Sequence, residues 1–375
     1  MSGAVSPDGM PAPHGALPRG HMPCLDGLRG LAAIMVVLGH AGDHGLPSLI
    51  DGSASACGVL IFFALSGFLM GDLYLIAVPN WSRVAGYAAA RVARIVPIYY
   101  LVVIAAFAIH RVDLAFVYEV NPVQLLRLLI FNGSTSVFWS IGPEVQFYVA
   151  FVALWLLRHR LQHDGLFSAL VLGITAVTLA TIHHWPGVFL LSKLHVFALG
   201  MLAALLKGRL AHRIPQTMIP FIHGAAFIIL AVFLVPGLAD ALLGATPFDR
   251  QIDPTFASFY GNLPRVLLAA AVSFAFSMRA PVATLILANP VAALLGRCSF
   301  SIYLLHVAVY DAATRSGLVA DLPGAVATLT VTVISVGLAV LANHTIEVPA
   351  RNRVRARLAR LFRFGTSAQY RRHPA

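Results

Sequence analysis

Leu25-Asp-Gly-Leu-Arg29-Gly-Leu-Ala-Ala-Ile-Met-Val-Val-Leu-Gly-His40 is an apolar run with a permanent cation near one end and a titratable imidazole at the other. At about 100° per residue, the step from Arg29 to His40 is three helical turns plus roughly 20°. On a helix the two side chains therefore share one face, about 16 Å apart along the axis. Burying Arg in hydrocarbon costs about 2.5–3.5 kcal/mol even on insertion scales, so ionisable groups in such a run point to a functional site. The alternative is that Arg29 snorkels to an interface and His40 ends the helix.

The rest of the chain has the same character. Of its 375 residues 59% are hydrophobic and only 11% charged, and the mean hydropathy is +0.82, which excludes an ordinary soluble domain. Apolar runs of membrane length predict an all-α polytopic membrane protein with about ten transmembrane helices, near residues 25–43, 54–78, 93–110, 139–157, 165–182, 187–206, 216–241, 264–279, 299–315 and 323–346. The third has an unclear boundary at Pro97, and the eighth is short. The stretch from Val123 to Phe131 is too short to span and reads as a re-entrant or interfacial piece.

Arg83, Arg91, Arg94, Lys207 and Arg209 fall on one side of this arrangement, together with eight arginines from Arg351 to Arg372. Positive loops stay inside, so the N- and C-termini are expected in the cytoplasm of a multi-pass protein of the cell inner (plasma) membrane. Three parts follow. Residues 1–22, rich in Pro, Gly and Ala, read as a disordered cytoplasmic tail without the basic and apolar regions of a cleaved leader. Residues 23–350 form the transmembrane domain. Residues 351–375 form a basic cytoplasmic tail, in which RNRVRARLARLFRF resembles an amphipathic helix lying on anionic lipid. The net charge of +11 is accordingly a topology signal rather than a nucleic-acid footprint. Cys24, Cys57 and Cys298 have no CxxC spacing, and His183-His184 is an isolated pair, so no metal site is expected.

Six further strings accompany the first. They are Phe62-Phe-Ala-Leu-Ser-Gly-Phe68, Arg91-Val-Ala-Arg94-Ile-Val-Pro97, Trp139-Ser-Ile-Gly-Pro-Glu144-Val-Gln-Phe-Tyr148, Phe197-Ala-Leu-Gly200, Leu295-Gly-Arg-Cys-Ser-Phe-Ser-Ile-Tyr-Leu-Leu-His306 and Ile346-Glu-Val-Pro349. In this order the chain resembles the acyltransferase 3 family of membrane O-acyltransferases, from about Leu25 to Pro349. The resemblance implies transfer of an acyl group, acetyl by default, from cytoplasmic acyl-CoA to a hydroxyl of a sugar or polysaccharide. Acyl-CoA would be a donor substrate rather than a permanently bound cofactor. By the same resemblance Arg29, Arg91 and Arg94 bind the donor, while His40 and Glu144 carry catalysis. The family string WSLSVEEQFY is altered here, with Gly142 for the second serine, Pro143 for valine and Val145 for the second glutamate.

The chemistry of these side chains suits the task. Arg presents a planar fork of donors to phosphate, and Arg91 and Arg94, as i, i+3 neighbours, can converge on one ligand. They also fit as ordinary positive-inside anchors. A neutral imidazole at His40 can deprotonate an acceptor hydroxyl or be acylated itself. Glu144 can orient His40, bind the acceptor or pair with an arginine such as Arg29. Ser140, Gln146 and Tyr148 are candidate acceptor contacts. Ser299, Tyr303 and His306 share a helix face, where interhelical hydrogen bonding is the expected role. Competing readings are an acyltransferase acting on a macrolide or other secondary metabolite, and a secondary transporter, since buried Arg, His and Glu also line transport pathways.

Overall fold

Proline and asparagine mark where the helices begin. The computed structural model describes residues 22–246, 253 and 255–362. Its helices are α1 (Pro23–Gly39), α2 (Ala54–Tyr74), α3 (Trp81–Val112), α4 (Pro122–Leu129), α5 (Ile141–Leu161), α6 (Asp164–Ala180), α7 (Leu194–Leu210), α8 (Ile219–Leu234), α9 (Leu238–Leu243), α10 (Ala257–Tyr260), α11 (Leu263–Phe276), α12 (Pro281–Leu287), α13 (Pro290–Arg315), α14 (Gly324–Ala342) and α15 (Val348–Leu361). Asn80, Asn121, Asn262 and Asn289 each cap the helix that follows, their side-chain oxygens accepting from the backbone N–H three residues on. Pro122 and Pro290 follow two of these caps at once, where a missing N–H costs nothing. No strand occurs among the described residues.

Seven helical runs are long and apolar enough to cross a membrane, or eight if α11 and α12, bent by 106°, form one broken span. Every one of the ten segments expected from the sequence contains helix. The two outside this count are α6 and α7, each 17 residues long. At 1.5 Å per residue they reach about 26 Å, a little short of a hydrocarbon core of about 30 Å. The short apolar piece is the eight-residue α4. Helix α3 runs unbroken through Pro97. The helix does not stop at the expected end of the last span, because a π-helical turn at Asn343–Glu347 joins α14 to α15. Ser301 donates to Glu347 (2.5 Å) and Asn343 to the Arg297 carbonyl (3.3 Å), tying that turn to α13.

Of the N-terminal tail expected over residues 1–22, only Met22 is described, and residues 363–375 of the basic tail likewise lie outside the described residues. The part of that tail that is described packs as α15 along the first half of α3, with Ala359 and Leu358 against Ala85 and Ala89.

Helices α1 and α2 sit innermost. Helix α1 packs on α2 and α13, and α2 on α7 and α11. These crossings are backbone-close. A Cβ at Gly67 of α2 would fall on the Phe197 carbonyl of α7, and one at Gly200 of α7 on the Ala64 carbonyl of α2. Small residues at such crossings are how helices associate where lipid supplies no hydrophobic drive. The outer helices show the reverse pattern, with large apolar side chains such as Leu101, Ile104, Val149, Phe221, Ile228, Val333 and Leu341 exposed. An apolar exterior of this kind is what a bilayer solvates.

Candidate active site

Two cavities adjoin on the face of α1 that carries Arg29 and His40. The first, about 40 Å3, is lined by Arg29, Ser66, Arg94, Ser140, Glu144 and Ser299 with an apolar remainder. The second, about 660 Å3, is lined by His40, Asp43, Ser53, Trp139, Phe256 and Tyr260 among others. Val59 of α2 and Tyr303 of α13 belong to both linings, so these two side chains are the wall where the cavities meet. Arg29, inside α1, lines the first cavity, and His40, at the C-cap of the same helix, lines the second.

The arginine cavity holds cations that form no direct ion pair among the described residues. Arg29 is buried at 7% exposure, and neither it nor Arg94 forms a salt bridge among the described residues. Glu144 lines the same cavity but is not ion-paired with Arg29. Its Oε1 instead accepts from Ser66 Oγ (3.0 Å) and from the Tyr148 hydroxyl (2.6 Å). Two unpaired guanidinium groups in a low-dielectric recess favour an anionic guest. The half-buried Asp72 and Lys207, by contrast, are paired at 2.8 Å, while the fully buried Lys193 has no salt bridge among the described residues and donates to Ser192 Oγ and the Thr255 carbonyl.

The other expected residues separate into lining and support. Arg91 does not join Arg94 in the lining; its guanidinium lies over the Tyr148 ring, 5.4 Å from the centroid. Arg91 therefore buttresses the Tyr148–Glu144 pair. Ser140 lines the cavity and is bonded to the Tyr303 hydroxyl (2.7 Å), which also donates to the Val137 carbonyl (2.8 Å). Gln146 lines neither cavity. Its Nε2 donates to the carbonyls of Val188 (3.1 Å) and Phe131 (3.4 Å), and its Oε1 accepts from the Leu190 N–H (2.8 Å).

Gln146 accounts for one departure from the family string. Gly142 is one turn before it on α5, and a Cβ there would lie 2.7 Å from the Phe131 carbonyl oxygen and 3.0 Å from that of Val188. The backbone that Gln146 clamps leaves no room for a side chain. Restoring serine, Gly142→Ser, is therefore expected to destabilise the protein by about 1–3 kcal/mol through overpacking. Thermal unfolding in detergent measures this; an unchanged midpoint would show that the clamp yields freely.

His40 caps the end of α1 and is half-buried. Its Nδ1 is 2.7 Å from the Val36 carbonyl oxygen. A carbonyl only accepts, so Nδ1 carries the hydrogen and, in the neutral ring, Nε2 keeps the lone pair. This geometry leaves Nε2 as the nitrogen that can act as base or nucleophile. Glu144 and His40 line different cavities, so the carboxylate is grouped with the arginines rather than with the imidazole.

Sequence reasoning does not find several parts of this site. Asp43, Phe256 and Tyr260 come from loops and the short α10, where no periodicity marks them. Ser66, within the string Phe62–Phe68, donates to Glu144. His306, an expected interhelical hydrogen bonder, has its Nε2 within 3.4 Å of His40 Nδ1. A family model described as an acyltransferase domain matches residues 22–344. No protein of curated function and no solved structure matches the chain.

Proposed function

The chain belongs to the acyltransferase 3 family, and from that premise we propose that it moves an acyl group, acetyl by default, from acyl-CoA bound through the arginines at the smaller cavity to a sugar or polysaccharide hydroxyl in the histidine cavity. The observation that carries this reading is the shared wall. A recess with unpaired arginines and a roomier one lined by an imidazole adjoin at Val59 and Tyr303.

On this reading the phosphates of CoA lie toward Arg29 and Arg94, and the pantetheine arm passes the Val59–Tyr303 wall. The axial separation of Arg29 and His40, about 16 Å, suits such an arm. His40 Nε2 takes the acceptor's hydroxyl proton as the oxygen attacks the thioester carbonyl. The tetrahedral adduct collapses, the C–S bond breaks, and the proton passes to the departing thiolate, giving ester and free CoA. In a two-step variant Nε2 is itself acylated, CoA leaves, and the acceptor then displaces the imidazole. Arginine-rich segments favour the arginine cavity on the cytoplasmic side of the plasma membrane, with both termini inside. Polar Asp43, Ser48 and Ser53 beside the aromatic rings of Trp139 and Tyr260 suit a sugar hydroxyl in the histidine cavity.

The test uses purified protein in sealed vesicles, with cysteine introduced at Ser53 or Ser82 after removal of the native cysteines. Sustained, multiple-turnover release of free CoA should require acyl-CoA on the Ser82 side and an acceptor glycan on the Ser53 side. An impermeant thiol reagent should label the two positions from opposite faces. CoA release before acceptor is added selects the two-step variant. No acyl-CoA consumption with any glycan or small-molecule acceptor, or labelling of both positions from one face, would overturn the reading.

A further inference from the structure

His306 lies on α13 at 0% exposure, and its ring centroid is 5.1 Å from that of His40 with the planes tilted by 57°. Its Nδ1 is 2.8 Å from the Tyr303 carbonyl oxygen and 3.1 Å from that of Ile302. Both partners can only accept, so Nδ1 carries the hydrogen here as well. The nitrogen left without hydrogen, Nε2, is the one that faces His40 Nδ1 at 3.4 Å. The two rings thus form a directed chain: His40 Nδ1–H is shared between the Val36 carbonyl and His306 Nε2, and His306 Nδ1–H is held by its own helix.

Resting on His40 as the reacting imidazole, we propose that His306 is a positioning residue that fixes the tautomer and ring plane of His40 and accepts from its Nδ1–H when Nε2 takes up a proton or an acyl group. A buried carboxylate commonly performs this task for a working imidazole. Here the acceptor is neutral. The arrangement requires His306 to stay uncharged, because a proton on its Nε2 would set two donors facing each other across 3.4 Å. Turning the ring is also disfavoured, since Nδ1–H would leave both backbone carbonyls in a fully buried site. The orientation of His40 is thereby fixed from a helix 266 residues further along the chain.

Two polar substitutions separate positioning from packing. Gln at 306 reaches the place of Nε2 and can still accept from His40, whereas Asn reaches only the place of Nδ1. His306→Asn is expected to lower kcat about 10- to 100-fold, the range for groups that orient a ligating imidazole, with KM for acyl-CoA unchanged within about twofold. His306→Gln should recover most of that activity. Equal activity in the two variants, whether both full or both low in correctly inserted protein, would overturn the proposal. A measurement on the unaltered protein guards against variants that fail to fold. With 15N-labelled histidine, the resonances that His40→Ala removes should show hydrogen on Nδ1 and none on Nε2, and the opposite tautomer would also overturn it. Absence of acyl transfer by the wild-type protein would count against the proposed function, whereas the opposite tautomer of His40 would count against the pairing itself.

Discussion

His40→Ala is expected to lower acyl transfer by about 10²–10⁴-fold, the usual contribution of a positioned acid–base group, while the protein stays folded and inserted. The fold should survive because what His40 gives α1 is mostly backbone. Its N–H donates to the carbonyls of Val36 (3.3 Å) and Val37 (3.2 Å), and alanine keeps both bonds. Turnover with acyl-CoA and a glycan acceptor, beside size-exclusion elution in detergent, makes the comparison. Full activity in a correctly inserted variant would remove His40 from the mechanism.

Arg29→Ala should separate function from stability. Arg29 is buried without a salt bridge, so its removal relieves a burial cost of about 2.5–3.5 kcal/mol on insertion scales. A charge-assisted hydrogen bond to phosphate is worth about 1.5–3 kcal/mol, so KM for acyl-CoA should rise about 10- to 150-fold when the guanidinium is gone. The unfolding midpoint should stay level or rise. Arg94→Ala should repeat the KM effect. Arg91→Ala should change kcat more than KM, because Arg91 reaches the cavity only through Tyr148 and Glu144. A fall in stability with unchanged acyl-CoA affinity would make Arg29 a structural cation and defeat the donor-site assignment.

The parts of the site that are legible in the sequence are those encoded by a single helix. The spacing of Arg29 and His40 needs only the 3.6-residue period and an apolar context, and both are local. The same period puts Arg91 and Arg94 on neighbouring faces, and on that ground they are expected to converge. It does not say that Tyr148, one turn after Glu144, would draw Arg91 away. Gly142 reads in the sequence as a chemical departure, and the structure supplies a packing reason that depends on the carbonyls of Phe131 and Val188. Helical spacing places His306 on the correct face of α13, yet its partner lies across the bundle. Long-range encounters of this kind are set by helix packing, which the order of residues does not display. Span counting meets a different limit. Apolar runs long enough on paper give the 17-residue α6 and α7, because single turns at Ile182–His184 and Leu190–Ser192 break the helix where hydropathy alone would extend it.

The Val59–Tyr303 wall has an electrical consequence. Where water fills both cavities, each side is near the potential of its own compartment, and the transmembrane voltage falls mainly across these two side chains instead of across some 30 Å of hydrocarbon. A charge carried from one cavity to the other would then cross nearly the whole field, about 2.3 kcal/mol per 100 mV. A neutral thioester would cross it without electrical work. If, as proposed, Arg29 and Arg94 bind the polyanionic headgroup, it would stay at the potential of the side from which it entered. The same two residues would thus serve as the insulator of a device that passes an uncharged group and no current.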